Sequence, residues 1–361
     1  MSRFLLAGLG CFICFAFMGC QGDAQDVRVD LRQWGYAPPD SSGRAFLARL
    51  SSHMVSVGPD GNGVVAFVTR DSEDLATRQE PPLTLHVVRF GRNGHVSSQW
   101  TVSTAHWQDN QVFMGNDDNI FLRAGSMLES LSSADHKLAE RELSLEVNWK
   151  IVPMPNRQSF LLSGFDTEEA SIALLNWDDL KPTKTCPYNR FDHVLGISDK
   201  NILFFTRAST WRSVEISVIC GASQSSFNWE GPVSAALVGD SDILLAGYSP
   251  WISLVHNGKV LWTSRFDKKN DVVDRHVEVS AGGQFLAVAV RRFGGGSSFL
   301  DISRKLKAVR VIVYRTSDGS KLLEVPVNPN PSAAFDFALS PSGDTLAVLS
   351  DEFLEIAAVR Q

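Results

Sequence analysis

One turn motif returns along this chain, and its return limits the possible folds more than any single segment does. Near the end, Phe335-Asp336-Phe337-Ala338-Leu339 runs into Ser340-Pro341-Ser342-Gly343-Asp344 and then into Thr345-Leu346-Ala347-Val348-Leu349-Ser350. Proline fixes φ, glycine takes the positive φ that other residues resist, and two short apolar runs flank them, so the segment reads as a β-hairpin. The same unit recurs as a short strand, a polar turn and a second, more apolar strand. Second strands open near Val64, Ile120, Phe160, Ile202, Ile243, Phe285 and Leu346, about 40 residues apart in the middle of the chain and about 60 at either end. First strands also match one another: Phe191-Asp192-His193-Val194-Leu195-Gly196-Ile197-Ser198 lies over Phe335-Asp336-Phe337-Ala338-Leu339-Ser340.

Between each second strand and the next unit there is room for two more strands, as at Ile252 and Val260 across Asn257-Gly258, or Val309 and Leu322 across Asp318-Gly319. Four strands per period of about 40 residues make the blade of a β-propeller. The segment Ala338-Leu339-Ser340-Pro341-Ser342-Gly343-Asp344-Thr345-Leu346-Ala347-Val348 resembles the repeat of bacterial WD40-like and YVTN-type β-propellers, in which such a turn joins the inner two strands. The repeats do not share a closing Trp-Asp dipeptide, and the resemblance implies architecture, not activity. The expectation is an all-β chain forming a single seven-bladed propeller of four-stranded blades over residues 43–361. Its last blade lacks an outer strand, and the alternating segment at residues 44–50 is expected to supply it and close the ring.

Export is expected from the first residues. A single basic residue, Arg3, precedes an apolar run from Phe4 to Met18, the layout of a signal peptide. The segment Phe17-Met18-Gly19-Cys20 resembles a bacterial lipobox, which implies a signal region over residues 1–20, cut before Cys20 so that the lipidated Cys20 is the first mature residue, and, with Gln21 following, an outer-membrane lipoprotein. Cleavage near Ala24 would instead give a periplasmic or secreted protein. Residues 21–42, polar and turn-rich, are expected to form a flexible tether. Beyond the leader only Cys186 and Cys220 remain, and an exported compartment permits a disulfide between them; two separate buried thiols are the alternative.

The net charge of −6 arises from interspersed acids and bases without a basic stripe, so nucleic acid is not an expected partner, and the membrane is expected to be met only through the lipid. Long insertions at residues 71–82 and 292–308 fall after second strands on one face of the ring. Arg70, Arg207, Arg291 and Arg292 enter that face, with Lys305 and Lys307 nearby, and offer guanidinium groups to an anionic ligand. Pairing with acids such as Asp71, Glu73 or Asp351 is the plainer alternative. Trp211 or Trp251 could form an aromatic platform, although most of the nine tryptophans fall where blades pack. His53, His193 and His276 open inner strands of blades one, four and six. Blades so far apart are expected to hold the three imidazoles across the channel from one another, beyond shared coordination, so neither metal nor cofactor is expected. No Gly-x-Ser-x-Gly, Walker or His-Glu-x-x-His sequence occurs. The reading is a non-catalytic, monomeric binding or scaffold module for a protein or small molecule. The rival is a lactonase-type or quinoprotein-type enzyme using the central channel.

Overall fold

The computed structural model describes residues 26–36, 45–46, 53–70, 83–104, 109–144, 148–165, 171–187, 193–206, 213–221, 223–228, 233–247, 250–266, 270–294, 305–328, 335–350 and 352–360. They form seven antiparallel sheets, one for each turn motif, joined as the blades of a β-propeller. The innermost strands of blades one to seven are Val55–Val57, Asn110–Met114, Asn148–Pro153, His193–Ile197, Val233–Val238, Asp271–Val279 and Phe335–Leu339. Within each blade the chain moves outward strand by strand.

Burial explains why the second strands admit so few charges. Every residue of Ile120–Ala124 and of Thr345–Ser350 is buried, because these strands are covered on both faces by neighbouring blades. Outer strands have one wet edge and alternate, as Val96–Thr104 and Lys259–Arg265 do. The apolar clusters accordingly lie between blades and not at the ring's centre. Phe121, Phe160 and Trp177 join blades two and three, while Trp262 stacks on Tyr314 between blades five and six.

The turns are cemented by their own side chains. Ser340 Oγ accepts from the amides of Asp344 and Thr345 at 3.1 and 3.0 Å, and the Asp344 carboxylate accepts from the hydroxyls of Ser340, Ser342 and Thr345. Gly343 has φ of 75°, and a Cβ there would stand 2.2 Å from the ring of Phe285 in blade six. Glycine is thus required twice over, for backbone conformation and for the approach of the next blade.

Ring closure differs from the expectation in which strand performs it. Val27–Asp30 pairs antiparallel with Phe353–Ala358, Val27 opposite Ile356 and Asp30 opposite Phe353, and completes blade seven. Asp30 then caps a 3-10 turn, Leu31–Trp34, that ends at Gly35 with φ of 88°. Leu31, Trp34 and Tyr36 are buried in the core shared by blades seven and one, so residues 27–36 belong to the fold and are not tether. From the 44–50 segment, Ala45–Phe46 pairs with Val68 and Thr69 on the inner edge of blade one, where the short strand Val55–Val57 leaves that edge open. The physical reason is geometric: an edge already occupied by Val27–Asp30 cannot take a second strand. Residues 1–25, with Cys20 and the expected leader, lie outside the described residues.

Candidate functional site

Charged side chains meet where the inner strands of blades six, seven and one converge. In blade six the pairing of Asp271–Val279 with the next strand slips between Val273 and Val277, a bulge that re-aims the intervening side chains. His276 leaves this bulge with Nε2 2.7 Å from Glu278 Oε1 and Nδ1 3.1 Å from Asp336 Oδ1 in blade seven. Its ring stacks on Phe337 at 4.5 Å. The other oxygen of Asp336 accepts from the backbone amides of Met54 and Val55 in blade one, at 2.6 and 3.1 Å. One buried carboxylate therefore joins three consecutive blades.

His53 stands immediately before the blade-one strand with φ of 75°, a left-handed conformation costly for a residue with a Cβ. Its ring lies 4.9 Å from that of His276 and 4.9 Å from Phe113, and its Nδ1 is 3.9 Å from Glu278 Oε1. The two histidines thus touch, contrary to the expectation that they stand apart across the channel. Blades six and one both adjoin blade seven, and the bulge carries His276 towards His53. His193 begins the blade-four strand, and its side chain lies outside the described residues.

The two imidazoles titrate in opposite directions. Burial would depress His276, but the hydrogen bonds to Asp336 and Glu278 prevail and carry it up to about 10. Burial, aided by the charge of His276, pushes His53 down to about 4. Burial opposes ionisation of Glu278 and Asp336, yet bonding to His276 holds both carboxyls below their ordinary values. At neutral pH the cluster holds two carboxylates, one imidazolium and one neutral imidazole.

This cluster borders a cavity of about 450 Å³ that occupies the channel between the inner strands. Blade three contributes Lys150 and Arg157 to its wall, and blades four and five contribute Leu195, Gly196 and Leu237. Lys150 Nζ donates to the carbonyl of Val194, and burial pulls its pKa down to about 8. Arg157 sits in the turn after its strand with φ of 55°, its amide bonded to Met154 O at 2.8 Å. Burial also lowers Arg157, and the field of Glu278 opposes it. No hydrogen bond or ion pair of its guanidinium to a described residue is formed.

The arginines expected on the insertion face are placed differently. Arg291 Nε donates to Asp274 at 2.5 Å, with its guanidinium 5.0 Å from the Phe335 ring, and Arg292 reaches Asp271 at 2.8 and 3.2 Å. Arg310 meets the same Asp271, whose carboxylate is fully buried. Blade six thus supplies the acids that occupy both arginines. The strand Gly63–Arg70 includes Arg70, whose side chain is not described; Arg207, Trp211 and residues 71–82 lie outside the described residues. Cys186, on the outer strand of blade three, is bonded to Cys220, in a turn of blade four, with Cα atoms 5.4 Å apart.

No model of a known family matches this chain, and no curated protein sequence does. Among solved structures it is similar in fold to a chain of the crystallised mitotic checkpoint complex, with a TM-score of 0.54 at 14% identity, covering 100% of this chain and 99% of that one. The C-terminal WD40 domain of Sif2 aligns at 12% identity and a TM-score of 0.45, over 93% of this chain and 99% of that domain. BamB from Moraxella catarrhalis aligns at 12% identity and 0.41, over 84% of this chain and 83% of that one. At such identities the likeness concerns the fold.

Glu278, Asp336, Lys150 and Arg157 escaped sequence reasoning. Asp336, Lys150 and Arg157 are single charges beside or within inner strands, whereas Glu278 follows Asp274, Arg275 and His276 on a strand already rich in charge, and those placements were the signal available.

Proposed function

We propose that this protein is an exported, non-catalytic binding module whose ligand, a small organic anion, enters the central channel, and that Cys20 anchors it to a membrane through lipid. Arg157 carries this reading: a guanidinium lining the channel cavity without a hydrogen-bonded or ionic partner among the described residues offers paired donors to a carboxylate or phosphate. Lys150 adds a second positive charge to the same wall, and the apolar side chains of Met154 and Leu195 suit a ligand with a hydrocarbon body. The described charges of His276, Glu278 and Asp336 at the channel bond one another. Similarity to propellers of scaffold type agrees with binding and names no ligand.

A thermal-shift panel of dicarboxylates and phosphate esters tests the reading. The expected result is a rise in Tm for one class that Arg157→Ala abolishes. A flat panel, or a rise that survives Arg157→Ala, removes the anion channel. Turnover of lactones or alcohols by the same preparation would favour the enzyme alternative. Anchoring is read separately, since Cys20→Ser should move the protein from the membrane to the soluble fraction.

A further inference from the structure

We propose that His53, His276 and Glu278 form a binding site for one divalent transition-metal ion of the zinc class, with its remaining coordination position open to the channel cavity. The donor atoms of these three side chains all lie within 4.8 Å of one another, and no other such group occurs among the described residues. Two imidazoles and one carboxylate are a donor set that suits zinc. Tetrahedral bonds of about 2.0–2.1 Å place donor atoms about 3.3 Å apart. The pair His276 Nε2 and Glu278 Oε1, at 2.7 Å, and the pair His53 Nδ1 and Glu278 Oε1, at 3.9 Å, bracket that separation. Small side-chain rotations bring all three onto one ion.

Three further features fit a metal better than a purely structural cluster. Asp336 accepts from the far nitrogen of His276 at 3.1 Å and is itself fixed by two backbone amides, the carboxylate support that orients a metal-bound imidazole. His53 makes no hydrogen bond through its ring to a described residue, yet it is held at φ of 75°, and strain of this kind collects where a side chain must be aimed. The open side of the triad faces the cavity, so the fourth position is reachable by water or by a ligand atom. Metal binding here releases to solvent the proton that His276 Nε2 shares with Glu278 and leaves Nδ1–H on Asp336, so a cluster of net charge −1 becomes neutral. The site is independent of the anion reading: an ion can bind with no organic ligand present, and Arg157→Ala leaves all three donors in place.

The test uses untagged protein, stripped with EDTA and dialysed, then titrated with Zn²⁺ by calorimetry and, separately, with Co²⁺ by visible absorption. The expected result is one equivalent bound per chain, with the intense visible bands of a four-coordinate cobalt ion. His53→Asn keeps a residue that tolerates positive φ, removes one imidazole and leaves the His276 bridges intact, so it should fold. It should bind Zn²⁺ at least about 100-fold more weakly, since even supporting groups around a metal are worth 10–100-fold. His256→Ala, on the partly exposed histidine paired with Asp242 in blade five, should bind as the parent does. Absence of saturable binding overturns the proposal. So does equal affinity in His53→Asn, which would show adventitious uptake, or a cobalt spectrum of weak six-coordinate type.

Discussion

The two sides of the ring are held by different means. Around the closing seam, blades seven, one and two share an apolar cluster of 28 described buried residues, and the buried charges of His276, Glu278 and Asp336 that face the channel from blades six and seven lie beside one another with opposite sign. Across the ring, blades three and four share a described apolar cluster of seven buried residues and are joined by the Cys186–Cys220 bond. Lys150 there bears its charge with the Val194 carbonyl as its hydrogen-bonded partner among the described residues. A closed propeller is limited by its weakest interface, since one parted pair of blades opens the circle. The covalent staple therefore sits on the side where described apolar packing is thin, with seven buried residues between blades three and four and seven between blades four and five, and the ionic cluster borders the seam that the chain's two ends close.

The largest effect should come from cutting the seam. A chain beginning at residue 37 loses the strand opposite Phe353–Ala358 and the buried side chains of Leu31, Trp34 and Tyr36. Core truncations cost about 2–5 kcal/mol each, so the total approaches or exceeds the roughly 5–15 kcal/mol by which domains are stable. Such a chain should elute as aggregate or as a strand-exchanged oligomer in size-exclusion chromatography. Monomeric protein with the parent melting curve would mean that the seam does not govern the ring.

Next comes Asp336→Ala, which removes the acceptor of two backbone amides and one partner of the imidazolium. Breaking a buried ion pair from one side costs about 3–5 kcal/mol. Asp336→Asn keeps an acceptor for Met54 and Val55 but not the charge, so urea denaturation should place it between parent and alanine variant. Equal stability of parent and Asp336→Ala would separate the seam from its ionic cluster.

What could be read from the sequence follows from these forces. The seven hairpins were legible because each turn needs particular chemistry: Ser340 to cap amides, Gly343 to pass the ring of Phe285. The closing strand was not, because Val27–Asp30 is only four residues long within a polar stretch. The longer alternation at residues 44–50 looked stronger, yet only its Ala45–Phe46 part is described, filling an inner edge of blade one. The site was legible only in part. His53 and His276 were visible as strand-opening histidines, but a bulge between Val273 and Val277 that no turn motif announces brings them together. Arg157 and Lys150 left no pattern because each acts alone on blade three.

On the far side, Cys186→Ser combined with Cys220→Ser should cost roughly 3–4 kcal/mol, the chain-entropy value for a loop closed over a separation of 34 residues. Calorimetry of parent protein with and without reductant gives the same comparison without mutation. If reduction leaves Tm unchanged while Asp336→Ala lowers it, the staple is redundant and the contrast between the two sides fails.

The smallest effect concerns Lys150 on blade three, whose ammonium has no ionic partner among the described residues. Lys150 has its folded pKa lowered from 10.5 to about 8 by burial. Below pH 8 both folded and unfolded chains carry the proton, and the folded state bears the full cost of a poorly solvated ammonium. Between about pH 8 and 10.5 the folded chain gives up that proton while the unfolded chain retains it, so stability rises with pH; above 10.5 the cost has gone. Lys150→Met removes the cost at every pH but leaves the Val194 carbonyl without its donor. With that loss and the partial access of water to the cavity, the net gain below pH 8 should be about 1–2 kcal/mol, less than the 1.36 kcal/mol per pKa unit that a sealed site would give. Urea titrations of parent and variant at pH 6, 8 and 10 should therefore show a difference largest at pH 6 and nearly absent at pH 10. A constant difference across that range would place the effect in packing and not in charge, and the unpaired ammonium would no longer distinguish the stapled side from the seam.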